Sequence, residues 1–173
     1  NKEEEKVMTT LEDMITEDSL DHKEEDMKKM EENINQVNKH IDRGRANFNQ
    51  GKYKEALQEY NSALLMVPKA ASLYFERAQV YLALNDSKKA LEDISTSIKI
   101  EAKLIEPYLL RGQIYSLMGN FAEAIEDFNT VVNIEPQQYT AYSSLGYLYY
   151  LEGSFNEAIK NYDMALRINT QDY

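Results

Sequence analysis

The sequence repeats itself at an offset of 34 residues, and this period constrains the fold more than any other feature. Small side chains form one column of the repeat at Gly44, Ala78, Gly112 and Gly146, and a second at Ala56, Ala90, Ala124 and Ala158. Large apolar side chains form columns beside them, as at Tyr60, Ile94, Phe128 and Tyr162. Small and large columns together favour helices that interlock at close range.

Each unit of the repeat has the pattern of two helices joined by a short turn. Apolar residues recur at helical spacing within the unit, and the turn column midway holds Gly51, Asn85, Gly119 and Gly153. Pro68 and Pro136 close the first and third units, where a proline ends a helix. The pattern therefore predicts an all-α chain of about four helix-turn-helix units.

The repeat resembles the tetratricopeptide repeat family. The segments GRANFNQGKYKEALQEYNSALLMVP and GQIYSLMGNFAEAIEDFNTVVNIEP carry the family's pattern of Gly, Tyr, Ala, aromatic, Ala and Pro. The resemblance implies a right-handed superhelical solenoid with repeats at residues 37–70, 71–104, 105–138 and 139–172. Residues 1–36 would then form an N-terminal extension.

The N-terminal extension is acidic. Its 13 acids and five lysines give it a net charge of −8, which is most of the net charge of −11 of the whole chain. Val7, Leu11 and Met14 are spaced for one helix face, and a second apolar stripe enters the first repeat at Met27, Met30, Ile34, Val37 and Ile41. We expect a short helix, a break near Asp18 to Asp21, and a long helix that enters the array. The extension would either recruit basic partners or cap the first repeat.

An arginine column and an acidic column vary together between the units. Arg43, Arg77 and Arg111 are followed sixteen residues later by Glu59, Asp93 and Asp127, and where Leu145 replaces the arginine Asn161 replaces the acid. We predict that each arginine reaches the acid of its own unit and braces the two helices.

Composition and motifs argue against several classes of function. The chain has no cysteine, and its two histidines, His22 and His40, do not have metal-ligand spacing, so no catalytic, cofactor or metal residues are predicted and we expect no enzyme. The negative charge disfavours nucleic acid and anionic membranes as ligands. No stretch is apolar enough for a membrane span and the start does not resemble a secretory signal, which predicts an intracellular, cytoplasmic protein.

The resemblance also implies where a partner would bind. In the family, the first helix of each pair lines a concave groove that holds a peptide or helix of a partner protein. The columns that face this groove give the candidate contact residues Ile41, Arg45, Phe48, Phe75, Gln79, Leu82, Leu109, Gln113, Tyr147 and Tyr150. The leading prediction is a protein-interaction scaffold or adaptor.

Three alternatives stay open. The chain could be a structural subunit of a large assembly that uses its edges and an uncapped C-terminal end, with self-association through Tyr149, Leu166 and Ile168. It could be the regulatory module of a longer enzyme. It could also bind chaperone tails, but the positions of the family's carboxylate clamp hold Ile41, Arg45, Glu76, Glu106 and Leu110, and acids there repel a carboxylate.

Overall fold

The computed structural model describes the backbone of residues 2–171 and the side chains of residues 22–170. This part of the chain contains eight α-helices and no strand, which confirms the predicted all-α fold. The helices are α1 (Lys2–Asn49), α2 (Tyr53–Met66), α3 (Ala71–Ala83), α4 (Ser87–Ile100), α5 (Ile105–Leu117), α6 (Phe121–Ile134), α7 (Tyr139–Leu151) and α8 (Phe155–Gln171).

The helices stack in chain order as four antiparallel pairs. Each odd-numbered helix packs on the even-numbered helix that follows it, and that helix in turn packs on the next pair. The alanine column lies at these contacts, because Ala56, Ala90 and Ala124 are fully buried. A methyl group at the contact lets two helix backbones approach closely, so the small columns set the spacing of the stack.

The glycine column and the aromatic column are complementary in size. A Cβ atom on Gly112 would lie 3.0 Å from Cζ of Phe128, and one on Gly44 would lie 3.0 Å from the ring of Tyr60. In the second pair Ala78 fills this position, and the residue in the aromatic column is the smaller Ile94. A ring on the second helix therefore favours glycine on the first, whereas isoleucine leaves room for a methyl group.

The predicted turn column is confirmed. Gly51, Gly119 and Gly153 have φ angles of 72°, 79° and 78°, and Asn85 has a φ of 60° at the matching place in the second pair. Glycine adopts this left-handed conformation without a steric penalty, and asparagine tolerates it better than most residues. Each pair can therefore reverse direction within a few residues.

The predicted arginine braces form in the second and third pairs. In the third pair, Nε and Nη2 of Arg111 donate to the two carboxylate oxygens of Asp127 at 2.8 and 2.7 Å. Its Nη1 also reaches Oγ of Ser95 at 3.4 Å, on the second helix of the preceding pair. The central carbon of the guanidinium lies 5.8 Å from the centre of the Tyr108 ring and 5.9 Å from the centre of the Tyr115 ring. The arginine thus joins three helices rather than the two that the sequence predicted.

The prediction is wrong for Arg43, which is exposed. Glu59, its expected partner, lies instead 2.6 Å from Nδ1 of His40. The two tyrosines that flank each of the other arginines are replaced here by His40 and Asn47. Without tyrosine rings to hold its guanidinium over the helix pair, Arg43 is exposed to solvent. The imidazole of His40 contacts Glu59 in its place.

The predicted break near Asp18 to Asp21 is also wrong, because α1 continues from Lys2 to Asn49. This stretch contains neither glycine nor proline, and single Ser and Asp residues inside a helix carry only a modest penalty. The helix crosses residue 36 without interruption, so a division of the chain at that point stays a prediction. The side chains of Val7, Leu11 and Met14 lie outside the described residues.

Candidate protein-binding groove

The predicted contact residues lie on the first helices of the four pairs, α1, α3, α5 and α7. Two of these helices are joined directly, since Arg45 of α1 forms an ion pair with Glu76 of α3. The first helices contact one another less closely than they contact the second helices. The space left between neighbouring first helices can therefore form a groove.

An open groove lies between α5 and α7, with a volume of about 470 Å³. We call it the α5–α7 groove, and its lining residues are Gln113, Ser116, Leu117, Phe128, Ser143, Ser144, Tyr147 and Leu148. Two of the predicted contact residues line it, Gln113 from α5 and Tyr147 from α7. The groove has no charged side chain in its lining, so it offers hydrogen bonds and apolar surface but no ion pair.

The walls and floor of the α5–α7 groove differ in chemistry. The buried ring of Phe128 and the buried side chain of Leu148 form the floor. Leu117 lies at the edge of the groove, with 90% of its surface exposed. The amide of Gln113 and the phenol of Tyr147 supply hydrogen-bond donors and acceptors above this floor. Such a surface can hold both the side chains and the backbone of a bound segment.

At the α1–α3 end of the same face, the predicted contact residue Arg45 is already engaged. Its Nε and Nη2 donate to the carboxylate of Glu76 at 2.9 and 2.5 Å, and the hydroxyl of Tyr60 donates to the same carboxylate at 2.9 Å. The hydrogen bond to Glu76 raises the pKa of Arg45. A negatively charged ligand would therefore have to compete with Glu76 for this guanidinium.

Several other predicted contact residues also take part in the core. Ile41 and Phe48 pack against the cluster around Tyr60, and the ring of Phe48 lies 5.6 Å from that of Tyr53. Leu82 and Leu109 also pack against the core. Phe75 and Gln79 are half-buried on α3, and Tyr150 is exposed beside Phe155. Their part in binding stays a prediction.

Leu117 and Ser144 line the groove but were not among the predicted contacts. A signal for Leu117 was present in the sequence, because it follows Gln113 by four residues and so shares its helix face. A similar signal was present for Ser144, because it precedes Tyr147 by three residues and so shares its helix face. Its hydroxyl donates to the carbonyl of Thr140 within α7. Its wall position depends on how α5 and α7 approach each other.

The described residues contain neither a membrane-spanning helix nor a cluster of metal-binding side chains. No helix between residues 2 and 171 combines the length and apolar character needed to cross a membrane. Among the described side chains, no group of three or more His, Cys, Asp and Glu residues is placed to hold a metal ion.

Two family models match the chain. One, described as TPR repeat, matches residues 44–85 and 112–153. The other, described as Tetratricopeptide repeat, matches residues 71–104 and 139–172. No curated protein sequence matches the chain significantly.

Solved structures with the same fold include several helical-repeat proteins. MamA is 21% identical with a TM-score of 0.74, and the match covers 79% of this chain and 80% of MamA. The second TPR domain of human RPAP3, solved in complex with the HSP70 peptide SGPTIEEVD, is 28% identical with a TM-score of 0.61, covering 67% of this chain and 97% of that domain. The first TPR of Spaghetti (RPAP3), bound to the HSP90 peptide SRMEEVD, is 24% identical with a TM-score of 0.64, covering 69% and 94%.

Proposed function

This chain belongs to the tetratricopeptide repeat family, and we propose that it is an adaptor that binds a segment of a partner protein in the α5–α7 groove. The observation that supports the proposal is that Gln113 of α5 and Tyr147 of α7 line the same open groove, above the buried side chains of Phe128 and Leu148. Domains with this fold bind peptides of other proteins, as the two RPAP3 complexes do.

The chemistry of the groove favours a ligand with little charge. Its lining combines amide, hydroxyl and apolar groups and contains no lysine or arginine. A segment with one large apolar side chain, flanked by backbone or side-chain amides, would satisfy both the floor and the walls. We propose that the bound segment is extended or helical and presents such an anchor toward Phe128 and Leu148.

The acidic tails bound by the RPAP3 domains are poor candidates for this groove. The peptides in these two complexes end in Glu-Glu-Val-Asp and so carry several negative charges. Here Arg45 is paired with Glu76, and Glu106 stands exposed at the start of α5. A carboxylate ligand would meet repulsion rather than a clamp, which favours a different class of partner.

The experiment is affinity capture from an extract of the source cells, with bound proteins identified by mass spectrometry. The test variant is Gln113→Ala with Tyr147→Ala, which removes the amide and the phenol from the lining of the groove. The matched control is Tyr139→Ala, because Tyr139 is an exposed tyrosine on the same helix but lies outside the α5–α7 groove. We expect a partner that the parent and the control retain and the test variant loses. An identical set of proteins on all three would rule out binding through this groove.

A second candidate function, a structural subunit of a larger assembly, is favoured by the outer face of α8. Phe155, Ile159 and Leu166 lie at helical spacing on this face and are all exposed. Of the residues first predicted for this contact, Ile168 is buried and cannot contribute as proposed. Sedimentation equilibrium distinguishes this function, since a chain that self-associates through α8 should become monomeric with Ile159→Ser and Leu166→Ser.

A further inference from the structure

A strict heptad of small and apolar residues runs along α1. Its members are Met27, Met30, Ile34, Val37, Ile41, Gly44 and Phe48, separated alternately by three and four residues. This spacing is that of the a and d positions through which two helices pack along a seam. We call these seven residues the α1 seam.

Only the second half of the α1 seam is covered. Ile41 and Phe48 pack against the core with α2, and Gly44 meets the ring of Tyr60. The first half extends beyond the end of α2 at Met66, and there Met27, Met30 and Ile34 are 61%, 63% and 52% exposed. One continuous seam therefore has a helix on one half and solvent on the other.

The uncovered half borders an apolar groove of about 570 Å³ where α2 ends. We call it the α1–α2 groove, and its apolar lining consists of Met30, Ile34 and Val37 of α1 together with Met66 and Val67 where α2 ends. Unbranched methionine side chains adapt to the shape of a partner, which suits them to a docking surface. The packing of α2 on the rest of the seam shows the kind of element that fits, namely an amphipathic helix.

The charges beside the seam indicate which helix would bind. The positions that flank the uncovered heptads, e and g in the heptad, are Glu24, Asp26, Glu31, Asn33 and Asn38. Every charged residue among them is acidic. Lys29 also lines the groove, but it lies outside these flanks and its Nζ is 3.6 Å from Glu25 on the same helix.

These flanking acids disfavour a second copy of this chain as the occupant. Two α1 seams placed together, in either orientation, would bring only acids and asparagines to the edges of the contact. Like charges across a seam select against that pairing, whereas lysine or arginine at the partner's edges would be attracted. The charge pattern therefore points to a different protein with basic flanks.

We propose that the α1–α2 groove is a second binding site, whose ligand is an amphipathic helix of another protein with an apolar seam flanked by lysine or arginine. The ligand helix lies on Met27, Met30 and Ile34 and continues the line of α2, in the helix-in-groove mode. Its basic edges face Glu24, Asp26 and Glu31. This site is separate from the α5–α7 groove in both location and ligand chemistry, so the chain joins two partners.

The probe for this proposal is a synthetic three-heptad helical peptide with leucine at a and d and lysine at e and g. A matched peptide has glutamate in place of the lysines. Binding of each to the full 173-residue chain is measured by fluorescence anisotropy. We expect the lysine peptide to bind and the glutamate peptide to bind about tenfold more weakly or not at all.

Two variants separate docking on the seam from general attraction to an acidic protein. Met30→Ser with Ile34→Ser keeps every charge but removes the apolar seam, and it should weaken the lysine peptide about tenfold. Leu65→Ser is the matched control, because Leu65 is an exposed apolar residue of α2 outside the groove. Asp26→Lys with Glu31→Lys should reverse the preference toward the glutamate peptide. Circular dichroism checks that each variant keeps its helices.

Each contrary outcome overturns the proposal. If neither peptide binds, or if both bind equally, the groove does not select a basic helix. If the seam variant binds the lysine peptide as tightly as Leu65→Ser does, the attraction is non-specific. If the chain instead forms a dimer in sedimentation experiments that the seam variant loses and the lysine peptide does not disrupt, the occupant is a second copy.

Discussion

Arg77 and Asp93 form a two-point ion pair in which Nε and Nη2 of the arginine each donate to a carboxylate oxygen at 2.7 Å. The carboxylate is almost fully buried, and its hydrogen bond raises the pKa of the guanidinium. Nη1 of Arg77 also donates to Asn61 of α2 at 2.8 Å. One side chain on α3 therefore ties its own pair of helices to the pair before it.

Arg77→Leu should lower the free energy of unfolding by about 3 kcal/mol, because it leaves the carboxylate of Asp93 buried without a partner. Adding Asp93→Asn should cost less than the two single changes predict together, since it reproduces the Leu145 and Asn161 combination of the fourth repeat. Urea denaturation of the four proteins measures the coupling. Arg43→Leu is the control and should change stability by less than about 0.5 kcal/mol. Additive effects of the two changes would show that the pair is not coupled.

The 34-residue repeat made parts of this fold predictable from the sequence. The columns predicted the turn at Asn85 and the brace between Arg111 and Asp127, because each column reports one environment several times. Outside the repeat only local propensity was available, and it predicted a break near Asp18 that α1 does not have. The prediction for Arg43 was wrong for a related reason. The column indicated a brace, but the tyrosines that position the arginine in the other units are absent from the first unit.

The groove was harder to predict than the fold. Helical spacing placed Gln113 and Tyr147 on the right face, but it did not show that Ile41 and Phe48 would be drawn into the core. It also did not show that Arg45 would be paired with Glu76, 31 residues later. These outcomes depend on the distance between neighbouring first helices, which is set by tertiary packing rather than by any single helix.

Gly112→Ala should destabilise the protein by about 1 kcal/mol, although alanine is the better helix former, because the new methyl group meets the buried ring of Phe128. In the background Phe128→Ile, the same change should become neutral or stabilising, as the natural Ala78 and Ile94 combination indicates. Thermal or urea unfolding of the four proteins measures this. If Gly112→Ala has the same effect in both backgrounds, the size complementarity of the two columns does not govern stability.

Asn85→Gly should stabilise the turn of the second repeat by about 0.5 kcal/mol, because the φ of 60° is strained for any residue with a side chain. Asn85→Ala, the matched control, should destabilise by about 1 kcal/mol, since alanine tolerates this region less well than asparagine. Urea denaturation gives both values. A gain in stability from alanine would show that this backbone relaxes to a negative φ.

Tyr60→Phe should change how stability depends on alkaline pH. Burial, and then the hydrogen bond to Glu76, raise the pKa of the Tyr60 phenol in the folded state. The folded protein therefore keeps this proton when the unfolded chain has lost it, and stability falls as the pH rises above about 10. The variant should lose this part of the decline, with urea midpoints measured between pH 8 and 11. Tyr139→Phe, which changes an exposed tyrosine, should follow the parent; a Tyr60→Phe profile identical to the parent's would contradict the prediction.

The peptides SRMEEVD and SGPTIEEVD should not bind this chain, although domains of the same fold hold them. Arg45 is neutralised by Glu76, and no lysine or arginine lines the α5–α7 groove, so a C-terminal carboxylate finds no unpaired cation on this face. Isothermal titration calorimetry against each peptide tests this, with the second TPR domain of human RPAP3 as the positive control for SGPTIEEVD. Saturable binding that Arg45→Ala abolishes would mean that Arg45 leaves Glu76 for the ligand. The α1–α3 end of the face would then act as a carboxylate site after all.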